Sequence, residues 1–379
     1  MRMLIAIVLC TLLVGCERKV ESPVSSTSQT SPPITEQTGH LAINPHFSNS
    51  SHFSEGLAPV RIGDGKTAKW GFIDKQGNMV IKPQFEFADS FADGLAAVRI
   101  NDKQAARWGF IDKQGNTVIT PQFDFAAAFS NGLAAVRISD GKTGQWGFID
   151  KQGNLVIKPQ FDLESSFADG LAAVRIGSWK AGKWAFIDSQ GKMVINPQFD
   201  LASSFADGLA AVRIGDEKSG KWGFIDKQGK MVVNPQFDQC FPFSEGVAAV
   251  RLGDAKSGKW GFIDKQSKMV IKPQFDDIVS FSEGFAPVQV GRGRSAKWGF
   301  IDTQGNTVIE PQFSSAGAFI SGLAAVQTGN DTTGKWGYID KQGKMVIKPQ
   351  FAETGAFSEG LAAVRIRDKA TSSWGYISR

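Results

Sequence analysis

The sequence predicts an all-β fold built from tandem repeats, because one pattern recurs every 38 residues along most of the chain. The prolines of the PQF words and the glycines of the GLA words follow this spacing, and a fixed period of about 20–50 residues is typical of solenoids, propellers and arrays. No helical hydrophobic periodicity of useful length occurs in the repeats, so we expect strands. The periodic tryptophans are Trp70, Trp108, Trp146, Trp184, Trp222, Trp260, Trp298, Trp336 and Trp374.

The first full copy, KWGFIDKQGNMVIKPQF, has the pattern of a β-hairpin. Its aromatic and β-branched start, residues 70–74, precedes a glycine turn, so residues 79–82 are predicted to return as the partner strand. We expect Pro83 to end that strand, because proline has no N–H to donate to the ladder. Residues 95–100 are a third predicted strand, and residues 84–88 are a possible short fourth strand.

Each copy is too small to fold alone, since a segment of about 38 residues buries too little of its surface. Stacked copies can share one continuous core, so each copy is predicted to supply the neighbour that the previous copy needs. Tryptophan and phenylalanine bring the largest apolar areas to such a core. The apolar side chains of one unit include Trp70, Phe72, Ile73, Val80, Ile81, Phe85, Phe91, Leu95, Val98 and Ile100.

The ends of the repeat region favour a closed, propeller-like ring of antiparallel β-meander repeats. Residues 41–379 begin with LAINPHF, which matches MVIKPQF, and finish with WGYIS, which matches WGFID. The two ends are therefore the halves of one hairpin, and their pairing removes the free edge strands. Nine blades exceed the usual range of about four to eight. An open β-solenoid is the alternative, because it can begin and end at any point of the repeat.

The words KWGFIDKQG, VIKPQF and FSEGLAAV resemble the WG (KWG) repeat family of bacterial proteins, from about residue 41 to the last residue. The resemblance implies a β-rich repeat domain, commonly on exported or surface-associated proteins. It implies no reaction and no catalytic residues, so we expect a protein that is not an enzyme. Three kinds of departure occur: Ala185 replaces a glycine, Tyr338 and Tyr376 replace phenylalanines, and Ser267 replaces a turn glycine. Ser267 weakens the turn prediction in its copy, because positive φ is strained for a non-glycine residue.

Residues 1–15 are predicted to be a lipoprotein signal peptide, because Arg2 precedes an apolar run that is too short to span a bilayer comfortably. The run ends in LVGC, which resembles a bacterial lipobox, so Cys16 is predicted to be lipidated and to anchor the protein to a membrane. The alternative is an ordinary signal peptide with an incidental cysteine. Glu17 is not the aspartate typical of inner-membrane retention, so we expect an outer-membrane lipoprotein on the periplasmic or surface side. Residues 16–40 are rich in Ser, Thr and Pro and are predicted to be a disordered tether.

Composition narrows the expected partners and chemistry. The 42 basic and 37 acidic residues, with a net charge of +5, are scattered along the repeats, so no nucleic acid partner is expected. Cys240 is the one cysteine left after signal removal and lipidation, and it is interpreted as a tolerated replacement rather than a reactive thiol. The histidines His40, His46 and His52 match no common ligand spacing, so we expect no metal and no cofactor.

Two repeated or glycine-rich motifs are interpreted structurally. The aspartates that end the WGFID strands, such as Asp74, are predicted to bond to turn amides, with weak repeated calcium binding as the alternative. A repeated acid is a poor catalytic candidate, because catalysis needs one pair in a special environment. The segment GRGRSAK at residues 291–297 leads into a strand and not a helix, so a phosphate loop is not predicted.

The segments before each KWG word vary while the strands stay nearly constant, so binding is predicted there. The candidate residues are Trp179, Lys180, Lys218, Arg292 and Arg294; Trp179 is the one tryptophan outside the periodic set. The leading hypothesis is a non-enzymatic, lipid-anchored scaffold that binds an envelope protein or polysaccharide. The alternative is a carbohydrate- or peptidoglycan-binding module that uses exposed aromatic residues. Accessible tryptophan columns would favour that alternative, and buried columns would count against it.

Overall fold

The computed structural model describes residues 40–101, 106–139, 144–178, 181–216, 218–329, 333–367 and 372–379. These residues form nine antiparallel four-stranded sheets, called blades here, which follow one another around a closed ring. The all-β prediction and the predicted closed propeller are therefore confirmed. Each blade begins with a short strand, continues through two central strands and ends with a strand that contains the PQF word.

The strands have the following bounds. Strand β1 (His40–Phe47) belongs to blade 9. Blade 1 contains β2 (Asn49–Ser50), β3 (Leu57–Ile62), β4 (Lys69–Asp74) and β5 (Met79–Phe85). Blade 2 contains β6 (Phe87–Ala88), β7 (Ala96–Asn101), β8 (Ala106–Ile111) and β9 (Thr117–Phe123). Blade 3 contains β10 (Phe125–Ala126), β11 (Ala134–Ser139), β12 (Gly144–Ile149) and β13 (Leu155–Phe161). Blade 4 contains β14 (Leu163–Glu164), β15 (Ala172–Ile176), β16 (Lys183–Ile187) and β17 (Met193–Phe199).

Blade 5 contains β18 (Leu201–Ala206), β19 (Leu209–Ile214), β20 (Lys221–Ile225) and β21 (Met231–Phe237). Blade 6 contains β22 (Gln239–Cys240), β23 (Val247–Leu252), β24 (Lys259–Asp264) and β25 (Met269–Phe275). Blade 7 contains β26 (Asp277–Ile278), β27 (Phe285–Val290), β28 (Lys297–Asp302) and β29 (Thr307–Phe313). Blade 8 contains β30 (Ser315–Ile320), β31 (Leu323–Thr328), β32 (Lys335–Ile339) and β33 (Met345–Phe351). Blade 9 contains β34 (Glu353–Thr354), β35 (Leu361–Arg367), β36 (Ser372–Ser378) and β1, and short 3-10 helices span Gly65–Thr67 and Gly293–Ser295.

The core lies between blades, as the small size of each copy predicts. Successive side chains of a strand point to opposite faces of its sheet. In β4, Trp70 and Phe72 pack in the cluster shared with blade 2, whereas Ile73 packs in the cluster shared with blade 9. Nine such clusters fill the nine interfaces. Each blade is therefore held by apolar contacts on both faces.

Strand β1 closes the ring by completing blade 9. It pairs antiparallel with β36, and the pairing places Ile43 opposite Tyr376 and Phe47 opposite Trp374. Ile43 and Phe47 are both buried in the cluster between blades 9 and 1. The first and last segments therefore do form one hairpin, and the open solenoid is excluded.

The prediction that Pro83 ends its strand is wrong, because β5 continues to Phe85. A bulge separates the pairs Trp70↔Phe85 and Phe72↔Ile81 and takes up the proline. A residue in a bulge needs no ladder donor, so proline is tolerated there. The partner strand approaches so closely that a Cβ on Gly71 would lie 2.4 Å from the carbonyl oxygen of Ile81.

Three further details differ from the predicted repeat or complete it. The short fourth strand exists as β6, but it pairs with β7 of the next blade, so a blade begins before its tryptophan-based repeat unit. Val80 was predicted to be in the core, yet it is 43% exposed because it lies on the outward side of β5. Ser267 adopts a φ of 66° and its N–H still bonds to the Asp264 carbonyl oxygen at 3.0 Å, so the turn is kept in that copy.

Candidate binding site at the loop edge

The antiparallel order of the strands gives the ring two edges with different loops. The turn edge carries the two tight turns of each blade, which are residues 54–57 and 74–78 in blade 1. The loop edge carries the variable segment, residues 63–68 in blade 1, and the single junction residue that links one blade to the next, such as Glu86. The described residues of the predicted binding loops therefore belong to one edge.

The strand-end aspartates of the turn edge hold their own turns together. Asp150 Oδ1 accepts hydrogen bonds from the backbone N–H groups of Gln152 and Asn154, at 3.0 and 2.8 Å. The side-chain amide of Asn154 bonds to Oδ2 at 3.0 Å, and these bonds hold the pKa of Asp150 below its ordinary value. The same bonds to backbone recur in the other copies, which agrees with the predicted turn role.

The acids before the GLA glycines link neighbouring blades. Glu55 and Gly56 both have positive φ, 53° and 89°, which defines a two-residue hairpin turn of the I′ type. The Glu55 carboxylate accepts a hydrogen bond from the Gly94 N–H of blade 2 at 3.1 Å, and Gly56 donates to Glu359 of blade 9 at 3.1 Å. Seven blade pairs share this bond. Most carboxylates of the turn edge are therefore engaged inside the ring.

Junction acids of the loop edge fill the crevice between blades in a repeated way. Lys221 Nζ lies 2.5 Å from Asp238 Oδ1, and the Gly253 N–H donates to Asp238 Oδ2 at 2.8 Å. Partial burial raises the pKa of Asp238, but the bonds from Lys221 and Gly253 outweigh it and the pKa is lowered. Equivalent ion pairs form at four other junctions: Lys69 with Glu86, Arg107 with Asp124, Lys183 with Asp200 and Lys259 with Asp276.

The junction before blade 9 departs from this arrangement at two of its three positions. Ala352 stands where six of the nine junctions carry an acid, and Arg367 stands where Gly253 donates its N–H in blade 6. Lys335 keeps the lysine position of Lys221. Within the part of the chain that the structure describes, the side chains of Lys335 and Arg367 make no hydrogen bond or ion pair. Among the described residues, both cations are therefore without an internal partner.

A cleft of about 510 Å³ lies at this junction. Its volume is within the range of about 300–1,000 Å³ that is usual for small-molecule sites. Glu353 is the one acidic residue among the described lining residues. Its Oε1 lies 2.6 Å from Arg365 Nη1, so this ion pair neutralises its charge. The cleft is therefore a cationic pocket with an indole wall. Its lining residues are Gln327, Thr333, Gly334, Lys335, Trp336, Ala352, Glu353 and Arg367.

The five predicted loop residues do not come together in the described part of the chain. Trp179 and Lys180 lie outside the described residues. Lys218 is exposed on blade 5, and its backbone N–H donates to Asp216 Oδ1 at 2.9 Å. Arg292 is used internally, because Nε lies 2.5 Å from Asp276 Oδ1 and Nη2 donates to the Gly258 carbonyl oxygen at 2.8 Å. Arg294 is exposed in the 3-10 turn of blade 7.

Sequence reasoning missed Lys335, Ala352 and Arg367, although the signal was present. When the copies are aligned on their tryptophans, position 352 is an alanine where most copies have an acid, and position 367 is an arginine where most have glycine or a small polar residue. Each change is unremarkable alone. Their meaning depends on the structure, which places both beside Lys335.

The periodic tryptophans are buried or half-buried, and none is among the exposed large apolar residues. Two phenylalanines are more open: Phe87 and Phe125 are 42% and 43% exposed. Phe87 lies between Trp70 and Trp108, with ring centroids 5.7 and 5.4 Å apart, and Phe125 continues the row. A short aromatic row therefore runs across blades 1 to 3.

The same described residues give no support to a metal site, a reactive thiol or a membrane-spanning helix. No group of three or more His, Cys, Asp or Glu side chains is placed to hold a metal ion there. Burial raises the pKa of the Cys240 thiol, which disfavours a reactive thiolate. In that part of the chain, no helix has the length and apolar character needed to cross a membrane.

Nine four-stranded blades in a closed ring define this protein as a β-propeller with one constant edge and one variable edge. The family model for the WG containing repeat matches nine tandem segments, so the chain belongs to that family. The matched segments are residues 36–66, 70–103, 108–142, 146–184, 184–217, 222–254, 260–292, 298–330 and 336–369. Comparison with curated proteins gave no match.

The solved structures that resemble this chain are distant from it in sequence. The crystal structure of the eukaryotic initiation factor is similar with a TM-score of 0.58 and 11% identity, over 81% of this chain and 89% of that one. The Pyrococcus horikoshii acylaminoacyl peptidase has a TM-score of 0.42 and 9% identity, over 88% of this chain and 57% of that one. The β-propeller domain of the Trilobed protease from Pyrococcus furiosus has a TM-score of 0.38 and 9% identity, over 84% and 100%. At this identity, the first likeness shows the fold alone.

Proposed function

We propose that this protein is a non-enzymatic scaffold that binds an envelope protein or polysaccharide through its loop edge while a lipid on Cys16 anchors it to a membrane. The observation that carries the proposal is the difference between the two edges. Acids of the turn edge are engaged in repeated hydrogen bonds, whereas the loop edge varies in sequence, and the cations of its cleft have no partner among the described residues. Variable loops on a constant scaffold are the usual binding surface of repeat proteins.

The membrane anchor rests on the sequence before the propeller, because Cys16 lies outside the described residues. Replacement Cys16→Ala should move the protein from the membrane fraction to the soluble fraction. A lipid stain or mass spectrum of the wild-type N-terminus checks the same point. A Cys16→Ala protein that stays with the outer membrane would remove the lipid anchor from the proposal.

Absence of catalysis is supported by the engagement of the carboxylates on both edges. The turn acids bond to backbone N–H groups, and five junction acids bond to basic side chains. A carboxylate fixed in this way is poorly placed to act as a general acid or base.

Carbohydrate binding through aromatic side chains is the second candidate, and one observation favours it. Phe87 and Phe125 are exposed beside three tryptophans, although the tryptophans themselves are buried or half-buried. The double variant Phe87→Ala with Phe125→Ala separates this candidate from the first, because it leaves the charges of the loop edge unchanged.

The test of the binding role is co-sedimentation of the full chain, purified in detergent, with peptidoglycan sacculi and with outer-membrane vesicles. Charge reversal at Arg294 and Lys335 on the loop edge should weaken binding at least about tenfold, the scale of one charge-assisted bond. Charge reversal at Lys192 and Lys230, which are exposed on the turn edge, is the matched control and should leave binding unchanged. Equal binding by both double variants, or no binding to either material, would overturn the proposed role of the loop edge.

A further inference from the structure

An internal carboxylate is part of the repeated design of the junctions. At the junction before blade 6, Asp238 accepts the Lys221 ammonium on one oxygen and the Gly253 N–H on the other. The same pair of bonds forms at Asp200, with Lys183 and Gly215, and at Asp276, with Lys259 and Gly291. A carboxylate between a lysine and a donor from the next strand is therefore what this crevice is built to hold.

The junction before blade 9 keeps the donors and lacks the carboxylate. Lys335 occupies the lysine position, Arg367 replaces the donor glycine, and Ala352 has no acceptor atom. Alanine is smaller than aspartate, and the space that it leaves open is part of the cleft of about 510 Å³. Two cations that line the same cleft and have no partner among the described residues give it a positive potential, which favours an anionic ligand.

We propose that the cleft between blades 8 and 9 binds an acidic sugar, whose carboxylate takes the place of the missing junction aspartate. Lys335 and Arg367 bind the carboxylate, and the guanidinium can do so with two parallel bonds. This inference rests on the proposed binding role of the loop edge and names the site and the chemical class of its ligand.

The cleft favours a sugar ring over a bare carboxylate or an acidic side chain. Its volume exceeds what one aspartate occupies at the other junctions, so room remains for a six-membered ring. Trp336 lines the cleft and is half-buried, and sugar rings pack on indole surfaces by apolar contact. The amide of Gln327 offers donors and an acceptor for ring hydroxyl groups.

The first experiment measures binding of small probes to the full chain in detergent by isothermal titration and by ligand-observed NMR. Glucuronate carries the ring and the carboxylate, glucose carries the ring alone, and acetate carries the carboxylate alone. N-acetyl-aspartate amide represents an acidic peptide. We expect glucuronate to bind at least about tenfold more tightly than each of the other three, because only glucuronate satisfies both parts of the cleft.

Replacement Ala352→Asp is the decisive variant. It restores the acid that six other junctions carry, so it should pair with Lys335, leave the fold intact and weaken glucuronate binding at least about tenfold. Lys335→Gln should weaken binding to a similar extent. Lys221→Gln is the matched control, because it removes the same repeat position at a junction that is already filled, and it should leave binding unchanged.

Each contrary outcome removes a defined part of the inference. Glucuronate binding that is unchanged in Ala352→Asp would overturn the site, and acetate or the aspartate amide binding as tightly as glucuronate would overturn the sugar. The proposed function is judged separately by co-sedimentation. If glucuronate binding is unchanged in Ala352→Asp while charge reversal at Arg294 and Lys335 still weakens co-sedimentation, the loop edge keeps its binding role and the acidic-sugar cleft is rejected.

Discussion

The turn edge and the loop edge are made by the same repeat, yet only the turn edge is nearly identical from blade to blade. On the turn edge, eight strand-end aspartates bond to their own turns in the same way. On the loop edge, the junction residue is an acid at six junctions and Ser48, Ser314 or Ala352 at the other three. The contrast suggests that ring assembly constrains the turn edge, while the loop edge is free to vary and to acquire a ligand.

Removal of residues 40–47 opens the ring and so disturbs both edges. It should give the largest loss of stability among these predictions. It deletes β1, with the buried side chains of Ile43 and Phe47, and leaves β36 as an unpaired edge. Burial of two such side chains contributes roughly 3–6 kcal/mol, so the free energy of unfolding in urea should fall by at least that amount. Deletion of residues 372–379 removes the other half of the hairpin and should give a similar loss. An unchanged urea midpoint in both deletions would contradict closure of the ring.

The turn hydrogen bonds and ring closure could be predicted from the sequence, because both depend on short, repeated words. LAINPHF and WGYIS are recognisable halves of one hairpin, and an aspartate before a glycine turn has few other roles. The bulge at Pro83 could not be predicted, since it depends on Gly71 of the partner strand. The cleft escaped for the same reason, because three single changes in different strands and junctions have meaning only where the blades bring them together.

Sequence differences between blades also occur at a blade interface, where Glu164 is found. This residue should give the second largest effect on stability, through its titration. Burial raises the pKa of Glu164 to about 7, and its Oε2 has no hydrogen-bond partner in the described part of the chain. The folded state therefore favours the protonated form, so stability should be full near pH 4.5 and should fall as pH rises through about 7. We expect Glu164→Ala, which matches Ala88 in blade 2, to remove about 1–3 kcal/mol of the stability lost between pH 5 and pH 8.5.

The measurement is the free energy of unfolding in urea at both pH values. Glu310→Ala is the control, because Glu310 is an exposed acid and its removal changes the net charge equally. A Glu164→Ala protein that loses stability between pH 5 and pH 8.5 as steeply as the wild type would show that this carboxyl does not titrate at the interface.

Loss of one turn aspartate tests the constant edge directly. Asp302 Oδ1 accepts bonds from the N–H groups of Gln304 and Asn306, and Oδ2 accepts the Asn306 side-chain amide at 2.9 Å. Asp302→Ala should lower the free energy of unfolding by about 1–2 kcal/mol, because these donors lose their acceptor. Asp302→Asn keeps one acceptor oxygen and should cost less. Equal stability of the alanine variant and the wild type would show that water satisfies the turn as well as aspartate does.

Ser267 is the one non-glycine residue at its turn position among the described turns, and a second change accompanies it. In the neighbouring copy, a Cβ on Gly305 would lie 3.1 Å from the Ile271 side chain of the preceding blade. The residue that corresponds to Ile271 before Ser267 is Val233, which lacks the terminal methyl group. Valine keeps Cγ1 and Cγ2, which make the two closest approaches at Gly305, and lacks only Cδ1, which would lie 3.4 Å away. The smaller side chain therefore relieves one of three close contacts and compensates for the serine Cβ only in part.

A double-mutant cycle checks this compensation by the free energy of unfolding. Ser267→Gly alone should stabilise by about 0.5–1 kcal/mol, because positive φ is no longer strained. Val233→Ile alone should destabilise by no more than about 1 kcal/mol, because the added Cδ1 would lie close to the serine Cβ, and it should be nearly neutral in the Ser267→Gly protein. Additive effects of the two substitutions would mean that the two residues do not share this space.

The smallest effects on stability are expected from substitutions on the loop edge. There, a lysine with a junction acid can be compared directly with a lysine that has none. Lys221 and Asp238 form a partly exposed ion pair, with side chains 43% and 28% exposed, so Lys221→Gln should cost no more than about 1 kcal/mol. Lys335→Gln removes the same position without breaking a pair among the described residues, and it should leave unfolding in urea unchanged. If Lys335→Gln costs as much as Lys221→Gln, then Lys335 stabilises the ring, and it is not held free for a ligand. If Lys335→Gln leaves the free energy of unfolding unchanged and loses glucuronate binding, then Lys335 serves a ligand at this junction, whereas Lys221 serves the ring at its own.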